Sequence, residues 1–340
     1  MNQTDKIEIS IIIPVYNCER YIEKLITDLS VINPSLLEII TINDGSTDNS
    51  FSILNKLKKK VSNLIVINQQ NKGVSSARNI GIKNAHGTYI LFADSDDSIN
   101  VLKLESLINS LTNDSADLTL FGITDCFINK KETVKIKGVV HQGKILKEEF
   151  LKNFSIYLNE SIIYSPCNKV YKKEIIQNNN IFFDCSYPLG EDILFNIAYF
   201  NKCKNFEFIP EYIYFYNHYF NRKNTGSTKY FDNELVIFED VLSKINVFLI
   251  KNNFFYENEE ELYKFHIRRM NSLITSLFSP TCHLNSKEKK DRIISICNSY
   301  IFQKALNTKN SSLSPKNKII RLLYKHRCVQ LIYWIFKISY

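Results

Sequence analysis

Gly87-Thr88-Tyr89-Ile90-Leu91-Phe92-Ala93-Asp94-Ser95-Asp96-Asp97 is the stretch on which the reading of this chain turns. Residues 88–93 form an apolar run with no polar face, the pattern of a strand buried on both sides in a parallel sheet. The run ends in three carboxylates within four positions. Open α/β sheets bind their ligands outside the carboxyl ends of the strands. Clustered carboxylates repel one another unless a positive charge lies between them. A hard divalent cation, completed by phosphate oxygens of a substrate, answers both conditions. An isolated acidic turn would read the same way, so the neighbouring segments decide.

Those segments repeat the pattern. Residues 9–14 are a continuous β-branched run ending at Pro14, and residues 36–42 and 64–67 are further strands. Between them, Asn17 is placed to cap a helix running to residue 29, in which Tyr21, Ile22, Leu25, Ile26 and Leu29 share one face. Ser46 or Thr47 is placed to cap a helix reaching the lysines at 58–60, and Gly73 opens a helix over 74–85. Alternation of strand and helix predicts a mostly parallel, Rossmann-like α/β sheet with helices on both faces. Gly81 lies inside a helix, where it costs stability, and is expected to permit close helix–sheet packing. Further on, the patterns predict helices over 101–111, 148–158 and 193–200, a strand over 117–123 and an aromatic strand over 212–220. From residue 232 they are helical throughout: 235–251, 259–278, 286–306 and 316–337. Three parts are expected: 1–123, 124–231 and a helical basic extension, 232–340.

Composition narrows the class. The 340 residues include eight cysteines with no CxxC pair, read as reduced thiols of a cytoplasmic protein. No signal peptide is apparent, and no apolar run approaches the length of a spanning helix. The net charge of +8 is a property of the tail, because residues 281–340 hold 12 Lys+Arg against 2 Asp+Glu. Residues 316–337 mix these cations with Leu, Ile, Trp and Phe, which suits a helix lying on an anionic membrane surface or packed on a core. A nucleic-acid-binding reading of the tail leaves the acidic cluster unexplained, so no nucleic acid is expected as partner.

Four further groups of residues can carry chemistry. Asp44, at a strand's carboxyl end, can accept hydrogen bonds from a ribose or a base, or simply form an Asx-turn. Arg78 offers a permanently charged donor fork near a helix start. Glu191 and Asp192 follow Gly190 at a helix start, where an ionised carboxylate can cap the helix or act as general base. His218, Arg222 and Lys223 could neutralise a leaving phosphate, with His218 also a candidate metal ligand.

Four motifs now stand in order: Ile12-Ile13-Pro14-Val15-Tyr16-Asn17, Asn43-Asp44-Gly45-Ser46-Thr47-Asp48, Gly73-Val74-Ser75-Ser76-Ala77-Arg78-Asn79 with Gly81, and Phe92-Ala93-Asp94-Ser95-Asp96-Asp97. Together they resemble family 2 glycosyltransferases of the GT-A fold. The resemblance implies an inverting transferase using a nucleotide-diphosphate sugar, most often UDP-linked. It implies that Pro14, Tyr16, Asn17, Asp44 and Arg78 line the nucleotide pocket. Asp94, Ser95 and Asp96 would meet the donor, with Asp94 and Asp96 holding Mn²⁺ or Mg²⁺ and Asp97 beside them. Asp192 would be the base, with Glu191 as the alternative, and His218 and Arg222 would lie near the diphosphate or metal. The QxxRW motif and transmembrane helices of processive members are missing, which favours addition of one sugar. The expected acceptor is a lipid-linked saccharide in bacterial surface polysaccharide synthesis, met at the inner face of the plasma membrane. A sugar-phosphate nucleotidyltransferase would want a Gly-rich basic loop near the first strand, and none is there.

Overall fold

The structure, a computed structural model, describes residues 7–112, 114–128, 134–137, 142–219, 230–307 and 315–338. The chain forms two compact units, one of Met1–Phe150 with Glu160–Phe220, the other of Leu151–Asn159 with Asn221–Tyr340.

The first unit is built on one sheet. Its leading strands are β1 (Ile9–Val15), β2 (Leu37–Asp44), β3 (Leu64–Gln69) and β4 (Tyr89–Phe92), interleaved with helices α1 (Ile22–Leu29), α2 (Ser50–Lys58) and α3 (Val74–Asn84). The four strands are parallel, in the order β3-β2-β1-β4. Ile9, Ile11, Ile12, Ile13 and Val15 are all fully buried, as a strand covered on both faces requires. Beyond β4 the sheet becomes mixed. β5 (Ser98–Ile99), α4 (Val101–Ser110), β6 (Leu118–Ile128), β7 (Val134–Lys137), β8 (Gly143–Leu146), α5 (Lys147–Lys152), α6 (Phe154–Asn159), β9 (Lys169–Lys172), α7 (Lys173–Asn178), α8 (Glu191–Phe200) and β10 (Asn205–Tyr219) come next in the chain. The sheet continues β4-β9-β6-β10-β5, with β9 antiparallel to both β4 and β6 and β10 parallel to β6. The parallel alternation read from the sequence thus holds through β4 and gives way beyond it, where β9 runs antiparallel to both of its neighbours.

Two glycines fix how closely the layers approach. A Cβ on Gly81 would lie 2.2 Å from Ile12 Cγ2, which places α3 directly on β1 and bears out the packing role expected of it. A Cβ on Gly87 would lie 2.6 Å from the Ser10 nitrogen, so the chain enters β4 against the β1 backbone itself.

Several helix ends differ from the sequence reading. Asn17 does not cap α1: it has φ 50, and the helix begins at Ile22. Neither Ser46 nor Thr47 caps α2; Asp48 Oδ1 accepts from the Ser50 N–H at 2.9 Å. The helix expected over 148–158 is two, α5 and α6, and the aromatic strand begins at Asn205 rather than 212.

The second unit is helical. Besides α6 it contains α9 (Glu234–Lys251), α10 (Phe255–Ser276), α11 (Ser286–Asn298), α12 (Tyr300–Asn307), α13 (Pro315–Lys325) and α14 (Val329–Ile338). Asn258 ties α10 to the start of α6, donating to Leu151 O at 2.7 Å and accepting from Ser155 N at 2.7 Å. The helix expected over 286–306 breaks before Tyr300, and that expected over 316–337 breaks at Arg327, which has φ 53. The tail is therefore not one continuous surface helix. Tyr324, Ile332 and Tyr333 are buried in its core-facing side. Among the described residues no helix is long and apolar enough to cross a membrane.

Candidate active site

Parallel register brings the motifs to one edge. Val15 pairs with Asn43, Asp44 with Gln69, and Ile12 with Phe92, so the segments after β1, β2, β3 and β4 emerge together. The first two loops are pinned to each other. The Asn17 N–H donates to Ser46 Oγ at 3.1 Å, and Asn17 Oδ1 accepts from Thr47 N at 2.8 Å. Pro14 is buried within β1, while Tyr16, just past its end, is exposed.

Asp44 organises the approach to α3. Its Oδ1 accepts from Gln69 Nε2 at 2.6 Å and from Lys72 N at 2.8 Å, and its Oδ2 accepts from Gly73 N at 2.9 Å. Both oxygens thus hold the loop that starts α3, a task the strand-end position did not reveal.

Arg78, on α3, is 3% exposed. One terminal nitrogen donates to Asp192 Oδ1 at 2.6 Å, the other to Asp94 Oδ1 at 3.0 Å. Its guanidinium carbon also lies 5.1 Å from the centre of the Phe183 ring, which stacks on Phe195. A planar fork meets two carboxylates and an aromatic face at once, which an ammonium cannot do. Burial alone would lower the Arg78 pKa, but Asp192 and Asp94 more than offset it and hold it raised.

Asp192 and Glu191 open α8. Burial raises the Asp192 pKa, with Arg78 opposing and Asp94 reinforcing the rise. Burial, then the charge of Asp192, pushes Glu191 up to about 7. A carboxylate held above its ordinary value is a stronger proton acceptor near neutral pH.

The acidic stretch after β4 divides. Ser95 points inward, its Oγ donating to Cys18 Sγ at 2.8 Å. Asp97 is buried: its Oδ2 accepts from Tyr214 Oη at 2.5 Å and its Oδ1 from Asn217 N at 2.8 Å. Burial first, then Asp94 and Asp96, push its pKa well up. Tyr214 Oη also accepts from the Asp94 N–H at 3.0 Å, and the Asp96 carbonyl accepts from Asn217 Nδ2 at 3.0 Å and Tyr219 Oη at 3.2 Å. β10 therefore shapes the acidic loop from behind. Its Tyr214 and Asn217 went unremarked in the sequence, where only a run of aromatic residues marks the strand. Asp94 and Asp96 remain as partly exposed oxygen donors.

His218 stands on β10 with Nε2 3.1 Å from Asp125 Oδ1 and its ring stacked on Phe127. Arg222 and Lys223 lie outside the described residues.

The family model described as glycosyl transferase family 2 matches residues 10–179. The chain belongs to glycosyl transferase family 2. Within this family it is 32% identical over 212 residues to the uncharacterized glycosyltransferase EpsJ of Bacillus subtilis, covering 61% of this chain and 60% of EpsJ. It is 32% identical over 217 residues to the poly(ribitol-phosphate) beta-glucosyltransferase of Bacillus spizizenii, covering 62% of this chain and 32% of that protein. Its backbone matches the crystal structure of Staphylococcus aureus TarS 1–349 in complex with UDP-GlcNAc with a TM-score of 0.69 at 21% identity, covering 98% of this chain and 91% of that one. The likeness establishes the GT-A fold. The matched family segment contains Asp44, Arg78, Asp94 and Asp96 but ends before Glu191 and Asp192.

Proposed function

We propose that this glycosyltransferase moves a sugar from a nucleotide-diphosphate donor, UDP-linked, to a hydroxyl of a lipid-linked saccharide, with inversion, in the synthesis of a bacterial surface polysaccharide. One observation carries the reading: Arg78 joins Asp94 of the acidic loop to Asp192 of α8, so groups suited to the donor and to the acceptor share one buried cation. The complex of TarS with UDP-GlcNAc supports the donor class, and the poly(ribitol-phosphate) beta-glucosyltransferase relative supports a polymeric acceptor.

In this reading Tyr16, Asn17 and Asp44 face the nucleoside with Pro14 beneath them. Asp192, its pKa raised by burial, takes the proton of the acceptor hydroxyl as that oxygen attacks the anomeric carbon; Glu191 is the alternative base. The bond to the diphosphate breaks on the opposite face, and one displacement inverts the centre. Asp94 and Asp96 are hard oxygen donors, fitted to Mn²⁺ or Mg²⁺ whose remaining ligands come from substrate. When bound, the ion neutralises the departing diphosphate. The basic tail is proposed to hold the enzyme on anionic lipid at the inner face of the plasma membrane.

Purified protein should release UDP from UDP-glucose or UDP-N-acetylglucosamine with Mn²⁺ or Mg²⁺ and cease with EDTA. Turnover that survives EDTA would remove the metal, and an Asp192→Asn variant with wild-type turnover would remove the base.

A further inference from the structure

Lys169, on β9, is 0% exposed, a placement lysine almost never takes without partners. Its Nζ donates to Ile162 O at 2.7 Å, Ser165 O at 2.5 Å and Asn168 Oδ1 at 2.7 Å. Three oxygen acceptors match the three N–H bonds of an ammonium. A neutral amine has two N–H bonds and would turn its lone pair on the third oxygen. Burial pulls the lysine pKa down to about 7, but this acceptor set favours the cation.

The segment Lys169 grips is also gripped from α8. Asn196 Nδ2 donates to Ile163 O at 3.0 Å and Tyr164 O at 2.9 Å, while its Oδ1 accepts from Tyr171 Oη at 2.6 Å. Asn196 lies four residues after Asp192, on the same helix face. The titratable groups in electrostatic reach of Asp192 include Arg78 from α3, Asp94 from the loop after β4, Lys169 on β9 and Glu191 on its own helix, together with the neutral Cys167 thiol just before β9 and the neutral Tyr171 phenol on it. Arg78 and Lys169 are the two basic side chains in that set.

We propose that Lys169 is a positioning residue for sugar transfer, fixing the 162–165 segment that α8 grips through Asn196, and supplying a second buried positive charge in addition to that of Arg78. The proposal rests on the reading of Asp192 as the base. The test uses the full chain and the pH dependence of UDP release, with whichever of UDP-glucose and UDP-N-acetylglucosamine the wild type turns over. Lys169→Gln and Lys169→Met should move the acidic limb of kcat upward by about one pH unit. They should also lower kcat by about tenfold or more while UDP affinity is kept. Lys169→Arg, which retains the charge, should leave the limb in place. Neutral variants that melt earlier yet keep the limb and kcat would show a purely structural lysine and overturn the proposal. Should the neutral variants fail to fold, the ¹⁵Nζ resonance of Lys169 in the wild type decides: an ammonium shift at pH 8 supports the proposal, and a neutral-amine shift overturns it. A wild type that releases no UDP at any pH counts against the assignment of Asp192, and the nitrogen shift still reports on the buried charge.

Discussion

Arg78 and Asp192 stand 114 residues apart in the chain, and a guanidinium N–H of the first donates to Oδ1 of the second at 2.6 Å. The same guanidinium holds Asp94 from its other nitrogen. Replacing it with lysine leaves one compact charge that cannot span both carboxylates. Arg78→Lys should lower kcat/KM by about a hundredfold. Arg78→Ala should cost about 3–5 kcal/mol in urea unfolding, most of it at Asp192, since Asp94 is one-third exposed and screened. Near-wild-type rates in the lysine variant would show that the bridge is incidental.

Glu191 should make stability fall as pH rises. Its folded pKa of about 7 exceeds its ordinary 4.5, so between those values the folded chain binds more protons than the unfolded one. The group costs nothing below pH 4.5, and its cost is complete above 7. Glu191→Gln removes the charge, so its Tm should exceed that of the wild type at pH 8 and match it at pH 4.5. Equal gaps at both pH values would contradict the raised, half-buried carboxyl.

Gly87→Ala should be more damaging than Gly81→Ala. At Gly87 the added Cβ meets backbone atoms of Ser10 and Ile9, which cannot yield without moving β1. At Gly81 it meets the Ile12 side chain, and the gain in helix propensity of about 1 kcal/mol returns part of the strain. Overpacking at Gly87 should cost about 1–3 kcal/mol, read as a lower urea midpoint at unchanged slope. An alanine at 87 with wild-type stability would refute the close approach.

On α14, Leu331, Trp334, Ile335 and Ile338 are exposed at helical spacing, with Lys337 stacked on Trp334. If this stripe meets lipid, Trp334→Glu with Ile338→Glu should cut binding to vesicles containing phosphatidylglycerol by about tenfold or more, leaving Tm unchanged. Both positions are at least half exposed, so the core is spared. Unchanged co-sedimentation with those vesicles would sink the membrane assignment.

Much of the site was legible because it depends on local signals. A buried strand announces itself by an unbroken apolar run, and the residues just past its end land at the sheet's edge. Asp44, Arg78 and Asp94 could be placed there from the sequence alone. The tasks of individual side chains were not legible. Asp97 sits one residue from Asp96 yet turns inward to Tyr214 and Asn217, residues 117 and 120 positions away. The tail break at Arg327 was hidden as well, because apolar periodicity runs through a single residue of positive φ.

By itself, the sequence determined that the leading strands alternate with helices in a parallel sheet and that four motifs fall at strand ends, and those motifs resemble a glycosyltransferase family. The alternation depends on short-range rules of periodicity and turn chemistry. Only the tertiary structure decided that Arg78 bridges Asp94 and Asp192, that Asp97 serves the loop from within, and that Lys169 is buried among carbonyls. Those outcomes depend on which distant side chains share a low-dielectric interior, where every charge and every polar atom must find its partner. The opening stretch, Asp94-Ser95-Asp96-Asp97, accordingly holds two half-buried carboxylates and two buried anchors.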